Sequence, residues 1–161
     1  SKVSINKLSK VLGMAKDTIK IYLSYMLNAY LLFEVTYFSF SAKIKYEVSK
    51  LPKIYCIDNG LVSIANIKYT KERGRQFENT ILIKLLEKYN EISYWGELKS
   101  EVDFIVNKIA INVTSTNNIP DREFKGLEDF KDKHKDFSSI IISDTLKSER
   151  IVPIREFLMQ D

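Results

Sequence analysis

The apolar residues of this chain change their spacing along the sequence, and this change constrains the fold more than any other feature. From Ile5 to Leu12 they recur at helical spacing, and Gly13 follows where a helix would end. A second helical pattern uses Ile19, Leu23, Met26, Leu27 and Tyr30. The spacing predicts two short helices joined by a tight turn, which is the arrangement of a helix-turn-helix.

The residues that follow have a strand-like pattern instead. Leu32 to Ser41 is rich in Phe, Tyr, Val and Thr, and Lys53 to Asp58 is a second run of this kind. The linker between the two runs carries Lys43, Lys45 and Lys50 and ends at Pro52. A hairpin with a basic tip after a helix-turn-helix predicts a winged helix, which we assign to residues 1–67.

The positive charge of the chain lies in this first segment. The net charge is +4, but residues 1–67 hold nine Lys and four acidic residues, a net of +5. Residues 68–161 hold sixteen basic and seventeen acidic residues, a net of −1. Such an asymmetry suggests that the first segment meets a polyanion, although a lysine-rich proteome would give the same excess.

We therefore expect DNA contacts from the second helix and from the wing. All five Arg of the chain lie from Arg73 onward, so the first segment lacks the commonest bidentate contact to guanine. Contacts should be mainly to the DNA backbone, with low sequence selectivity. A protein-interaction role for the winged helix is the alternative. The predicted DNA-binding residues are Lys16, Asp17, Thr18, Lys20, Ser24, Asn28, Lys43 and Lys45.

Residues 68–161 alternate helical and strand-like patterns and predict a second domain. A helix is expected from Gly74 to Tyr89, and a second one from Arg122 to His134. The strand-like runs are 92–95, 102–107, 109–115 and 138–143, and a strand followed by a helix is expected over 151–159. The pattern predicts a mixed sheet flanked by helices, so the fold class is α/β, or α+β for the whole chain.

Polar residues of this domain stand where apolar ones are expected. Glu78 falls in phase with the apolar residues of its helix, and a buried acid without a partner is costly. If Asn107 and Lys108 form a two-residue turn, Val106 pairs with Ile109 and Asp103 stands opposite Asn112. Thr114 then points to the same side of its strand as Asn112.

This order of polar residues resembles the PD-(D/E)XK nuclease fold, as in restriction-endonuclease-like domains. Active members hold one or two Mg²⁺ with the helix Glu, the strand Asp and a following Glu, and a Lys two residues later positions the attacking water. Glu78 and Asp103 match the first two acids, and only they would hold metal if the site were active. Asn112 stands at the position of the following Glu and Thr114 at that of the Lys, so the resemblance implies a degenerate catalytic site. The lysine function would have to come from elsewhere, such as Lys99 or Lys125.

A second resemblance covers nearly the whole chain. The segments VSINKLSKVLGMAKDTIKIYLSYMLNAYLLFEV, FSFS, KIYCIDNGL, GRQFEN and EVDFIV are similar to the C-terminal region of prokaryotic, especially archaeal, AAA-type ATPases. In that family a winged helix and a PD-(D/E)XK-like domain follow the ATPase module. The resemblance implies an upstream module that binds ATP and Mg²⁺, and no cofactor in this chain itself. The chain departs from the family at Ala15, where a Ser usually caps the second helix.

Together these observations predict a non-catalytic, DNA-binding and coupling region of an AAA-type ATPase. The alternatives are a DNA nuclease using Mg²⁺ or Mn²⁺ at Glu78, Asp103 and Asn112, and a protein–protein interaction module of the ATPase. The partners expected are DNA and the ATPase module, and self-association is left open. The chain begins at Ser1, without a signal segment or an apolar run of membrane length, so we expect an excised piece of a cytoplasmic protein. His134 lies in a polar stretch and is expected to be a solvated helix residue.

Overall fold

The computed structural model describes residues 2–45, 47, 50–65 and 73–160. The chain divides into two compact units, Ser1–Asn66 and Ile67–Asp161. The boundary expected between residues 67 and 68 lies outside the described residues. Both units contain helices and strands, which confirms the predicted α/β class. Within the described ranges, no helix has both the length and the apolar character that crossing a membrane requires.

The first unit begins with the two predicted helices, α1 (Ile5–Leu12) and α2 (Lys16–Asn28). The Ser4 hydroxyl accepts a hydrogen bond from the Lys7 N–H at 3.4 Å and caps the start of α1. Gly13 ends α1 in the left-handed conformation, with φ of 65°, which glycine adopts readily. No side chain caps the start of α2 at Ala15, as the sequence predicted.

A hairpin follows these helices. Strands β1 (Leu32–Tyr37) and β2 (Lys53–Cys56) pair antiparallel, from Leu32 opposite Cys56 to Val35 opposite Lys53. The pairing of the two predicted runs is therefore confirmed, but β1 ends before Ser41. The Ser39 hydroxyl accepts the Ser41 N–H at 3.1 Å, and this local bond competes with the strand ladder.

Two further helices of the first unit were not predicted. Helix α3 (Ala42–Lys45) lies in the connection between β1 and β2, so the tip of the hairpin is not the plain basic loop that the sequence predicted. Helix α4 (Asn59–Ala65) follows β2. The winged-helix assignment of this unit stays a prediction.

Several apolar residues of α1 and α2 lie outside the core, contrary to the sequence prediction. Val11 and Leu12 are exposed at the end of α1, and Ile19 is the buried residue of α2. Tyr30 lies beyond the end of α2 and is exposed as well. Helical spacing predicts which side chains share a face, but it does not tell whether another element covers that face.

The second unit contains α5 (Arg73–Leu86), α6 (Asp121–Lys133) and α7 (Ile154–Leu158). Its strands lie side by side in chain order, from β3 to β7. The first three are antiparallel, and β6 and β7 continue the sheet in parallel. The strands are β3 (Ser93–Glu97), β4 (Ser100–Val106), β5 (Ile109–Val113), β6 (Ser138–Ser143) and β7 (Ile151–Pro153).

The turn between β4 and β5 confirms the predicted register. Asn107 and Lys108 both have positive φ, 40° and 65°, as a type I′ turn requires. Val106 pairs with Ile109 across this turn. The core of the unit is formed by residues from its helices and central strands, among them Ile81, Leu82, Val102, Phe104, Phe130, Ile141 and Ile142. The nuclease-fold assignment of this unit stays a prediction.

Strand β4 contains an irregularity at the predicted site. Ser93 pairs with Ile105 and Trp95 pairs with Val102, so two steps along β3 oppose three steps along β4. The extra residue makes a β-bulge in the stretch that includes Asp103. Bulges bend a strand and redirect its side chains, and they are common beside functional sites.

Candidate functional site

Asp103 and Asn112 lie opposite each other, and their side chains bond to the backbone. The Asp103 N–H donates to Asn112 Oδ1 at 3.0 Å, and the Val113 N–H donates to Asp103 Oδ2 at 3.0 Å. These two side-chain oxygens thus accept backbone N–H groups across the β4–β5 pair. Both residues therefore help to hold β4 and β5 together.

The amide nitrogen of Asn112 is equally engaged. Its Nδ2 donates to the carbonyl oxygen of Glu101 at 3.2 Å and to that of Glu123 at 2.9 Å. The residue is 1% exposed. Because the oxygen faces an N–H group and the nitrogen faces two carbonyl groups, the partners determine the orientation of the amide. Asn112 thus connects β5 to β4 and to the first turn of α6.

Helix α6 approaches β4 closely at this point. A Cβ atom at Gly126 would overlap the Glu101 carbonyl oxygen and would lie 3.2 Å from its carbon. The Ser100 hydroxyl also bonds to the Asp129 carboxylate, one turn further along α6. Sequence reasoning missed these contacts, although an isolated Gly inside a helical pattern is a signal for close packing.

The other two positions of the predicted nuclease site lie on α5 and just after β5. Glu78 is half-buried on α5, and Leu82 and Leu85 of the same helix are buried as predicted. Thr114 is buried; its hydroxyl lies 3.2 Å from that of Thr116, and its N–H donates to the Ile142 carbonyl group. Among the described residues, no group of three or more His, Cys, Asp or Glu is placed to hold a metal ion.

The two lysines considered as substitutes for the missing catalytic lysine share another location. Lys99 and Lys125 line a groove between the β3–β4 turn and α6, together with Ser100 and Asp129. Residues Asp103 and Asn112 are not part of this lining.

The predicted DNA-binding residues of α2 are mostly exposed. Lys16, Lys20, Ser24 and Asn28 are exposed with Asp17, whereas Thr18 is half-buried. Lys20 Nζ lies 2.9 Å from Asp17 Oδ1, and this hydrogen bond and the charge of Lys20 lower the pKa of Asp17. One lysine of α2 therefore already has an anionic partner.

The two predicted lysines of the hairpin tip both lie on α3. Lys43 is exposed and Lys45 is half-buried. The structure thus distributes the predicted DNA-binding residues over α2 and α3 of the first unit.

Helix α2 also exposes apolar side chains, which we call the α2 apolar surface: Ile21, Tyr22, Tyr25 and Met26. Their exposed fractions lie between 38% and 64%. Residues four apart share a face of a helix, which brings Ile21 beside Tyr25 and Tyr22 beside Met26. Sequence analysis counted Met26 in the apolar pattern of the second helix and did not recognise an apolar surface at Ile21 and Tyr25.

His134 lies at the end of α6 and is half-buried in an aromatic cluster, whereas the sequence predicted a solvated helix residue. Its ring centroid lies 4.5 Å from that of Phe130 and 5.9 Å from that of Phe137. Burial lowers the pKa of His134, and the neighbouring charge of Lys133 lowers it further, whereas Glu97 acts in the opposite direction.

Comparisons with known proteins give two families and one relative. Residues 1–72 match the family described as domain of unknown function DUF8612, and residues 73–157 match domain of unknown function DUF4143. An uncharacterised protein of Methanocaldococcus jannaschii is 31% identical over 145 residues, an alignment that covers 80% of this chain and 31% of the relative. The chain thus corresponds to less than a third of that relative's length. No solved structure matches the chain.

Proposed function

We propose that this chain, which belongs to the DUF4143 family, is the non-catalytic, DNA-binding and coupling region of an AAA-type ATPase. The ATPase part of the proposal rests on the resemblance of the five sequence segments quoted above. In this proposal the second unit is a nuclease-like scaffold that does not cut, and the first unit contacts the DNA backbone.

The bonding of Asn112 is the observation that carries the non-catalytic part. A magnesium ligand at this position would have to offer a carboxylate or carbonyl oxygen to the ion. The Asn112 oxygen instead accepts a backbone N–H, and the nitrogen on the same carbon holds two carbonyl groups. Turning the amide would place its oxygen against those two carbonyl oxygens. Because Asn112 is 1% exposed and both ends of its amide bond to the backbone, its arrangement supports a structural role over that of a metal ligand.

The residue at the catalytic lysine position supports the same proposal. A lysine there would supply a cation beside the phosphoryl group, and the Thr114 hydroxyl is neutral. The hydroxyl lies within hydrogen-bond distance of Thr116 instead. The remaining acids, Glu78 and Asp103, bring fewer charges than metal-dependent phosphoryl transfer uses in active members.

Cleavage assays test this part of the proposal. We expect no cleavage of single- or double-stranded DNA by the 161-residue chain with Mg²⁺ or Mn²⁺. Asp103→Asn is the matched control, because its amide oxygen still accepts the Val113 N–H while the charge is removed. Metal-dependent cleavage by the wild-type chain that Asp103→Asn abolishes would overturn the non-catalytic assignment.

Exposed lysines support DNA contact by the first unit. Lys16, Lys20 and Lys43 are exposed, and no arginine is available there for bidentate contact to guanine. Phosphate contacts release counterions, so affinity for duplex DNA should fall by several-fold or more between about 50 mM and 200 mM salt.

Gel-shift titrations with single variants test the DNA contact. Lys16→Gln, Lys20→Gln and Lys43→Gln should each weaken binding and reduce the slope against log salt by about 1. Lys20→Gln should have the smallest effect because Lys20 is paired with Asp17. Lys108→Gln, in the exposed β4–β5 turn, is the control that should leave binding unchanged. If all four variants bind DNA with the same affinity, DNA contact at Lys16, Lys20 and Lys43 is refuted.

Coupling is tested on the complete protein that contains the ATPase module. DNA should change its rate of ATP hydrolysis, and Lys16→Gln with Lys43→Gln should remove that change while the rate without DNA stays the same. A rate that does not respond to DNA would contradict the coupling role.

A protein-interaction role is the second candidate. It is favoured by the α2 apolar surface, because phosphate groups offer no partner to exposed Ile and Met side chains or to the apolar rings of Tyr.

A further inference from the structure

The exposed large apolar residues of the chain are concentrated in the first unit. Thirteen of the seventeen such residues in the described part of the chain lie before residue 66, and they include the whole α2 apolar surface. Single exposed apolar residues are ordinary, but a continuous group on one helix face marks an interaction surface.

Tyr30 supplies a second, independent observation beside this surface. The Tyr30 N–H donates to the Leu27 carbonyl group at 3.0 Å, and the Leu31 N–H donates to that of Met26 at 3.0 Å. These two bonds form a Schellman motif, whose left-handed position usually holds Gly. Tyr30 occupies that position with φ of 55°, and its side chain is 71% exposed. Burial of the ring within the unit therefore does not offset the backbone strain. A strained residue with an exposed ring is expected if the ring contacts a partner.

The charge around the surface indicates the chemistry of that partner. Residues 2–31 contain five lysines and one acid, Asp17, a net of +4. The four lysines on α1 and α2 are all exposed, and Asp17 is paired with Lys20. Lys16 and Lys20 lie on the same helix as the α2 apolar surface, so a partner that covers this surface should carry acidic groups.

We propose that the α2 apolar surface, together with Tyr30, docks an acidic protein segment that carries apolar side chains. This proposal deepens the protein-interaction candidate above and does not rest on the proposed DNA contact, although both would use Lys16 and Lys20 of α2. A second copy of the chain fits poorly, because it would bring two lysine-rich surfaces together. Duplex DNA would complement the lysines, but its phosphate backbone would offer no apolar partner to Ile21 and Met26.

Selection from a random peptide library tests the proposal. A phage library of random peptides, each about five helical turns long, is selected on the 161-residue chain and counter-selected on the double variant Ile21→Ser with Tyr25→Ser. Both side chains are exposed, so the double variant should fold. We expect enriched peptides that combine Asp or Glu with Leu, Phe or Trp, and a loss of affinity of at least tenfold on the double variant.

Tyr30→Gly separates docking from a structural role. Glycine removes the left-handed strain, so the variant should unfold at a higher urea concentration than the wild type while it binds the selected peptides more weakly. Unchanged peptide binding by Tyr30→Gly would remove Tyr30 from the docking surface. Loss of both stability and binding would show that Tyr30 acts on the fold.

Several outcomes would overturn the proposal. One is a selection that yields no peptide sensitive to the double variant, and another is a consensus without acidic residues. The double variant is also tested with duplex DNA and with vesicles of anionic lipid. If the double variant loses as much affinity for DNA or for vesicles as Lys16→Gln does, the surface is a nucleic-acid site or a membrane site. If the peptide selection fails while the chain still binds DNA, the docking proposal is refuted and the proposed DNA contact is not affected.

Discussion

Replacing Asn112 by Asp distinguishes a structural position from a degenerate metal ligand, because the two roles predict opposite results. Asp has the shape of Asn, so the substitution opens no cavity. In a vestigial nuclease site it would supply a third acid and improve metal binding. In the bonding observed here it replaces the Nδ2 donor by an oxygen that faces the Glu101 and Glu123 carbonyl oxygens, 3.2 Å and 2.9 Å away.

The magnitude follows from the lost bonds. Each net hydrogen bond contributes about 1 kcal/mol, and each buried carbonyl group left without a donor costs about 1 to 3 kcal/mol. With the desolvation of a buried carboxylate, Asn112→Asp should lower the free energy of unfolding by about 3 to 5 kcal/mol at neutral pH. That is a large part of the stability of a natural domain, which is about 5 to 15 kcal/mol. The loss should be smaller near about pH 4, because burial favours the neutral carboxyl group, which can donate one bond.

Urea unfolding followed by tryptophan fluorescence measures this effect in the second unit. Trp95 is the single tryptophan of the chain and is buried in that unit. The midpoint should fall by about 2 M, or the variant should be unfolded without urea. Asn117→Asp is the matched control: Asn117 is exposed, and its Oδ1 accepts two bonds from Thr145, which a carboxylate also accepts.

The outcome that refutes the reasoning is equally specific. One such outcome is that Asn112→Asp unfolds at the wild-type urea midpoint. Another is that millimolar Mg²⁺ raises the midpoint of the variant but not that of the wild type. Either result would show that Asn112 does not stabilise the unit through its hydrogen bonds.

Three further predictions also concern the stability of the two units. Gly126→Ala should lower the stability of the second unit by about 1 to 3 kcal/mol, because its Cβ would overlap backbone atoms of β4. Gly74→Ala is the control and should leave stability unchanged or raise it, because the Cβ would have no neighbour nearer than 3.8 Å. Equal unfolding midpoints for the two variants would contradict the close approach of α6. Tyr30→Gly should stabilise the first unit by about 1 kcal/mol by relieving a left-handed backbone, and a lower circular-dichroism midpoint would contradict this. Because burial lowers the pKa of His134, the unfolded chain takes up more protons than the folded one as the pH falls below about 6.5. The free energy of unfolding should therefore decrease from about pH 7 to pH 5, and His134→Phe should make this decrease smaller. An equal decrease in the variant would exclude His134 as its source.

Local patterns predicted much of the second unit. Two strand-like runs flank Asn107 and Lys108, and a two-residue turn between these runs was enough to place Asp103 opposite Asn112. The run Ser138–Ser143 was predicted with its observed bounds. These features depend on neighbours in the sequence or across one tight turn.

The roles of those residues depended on contacts that no local pattern encodes. The sequence by itself determined the order of helices and strands in the second unit, the mixed α/β class and the pairing of β4 with β5, because spacing and turn chemistry act over a few residues. Only the tertiary structure decided that the amide of Asn112 is occupied by Glu123, eleven residues away on another element. Likewise only the structure decided that Ile21 and Tyr25 are uncovered. Periodicity determines which side chains share a face, and the packing of distant elements determines what that face meets.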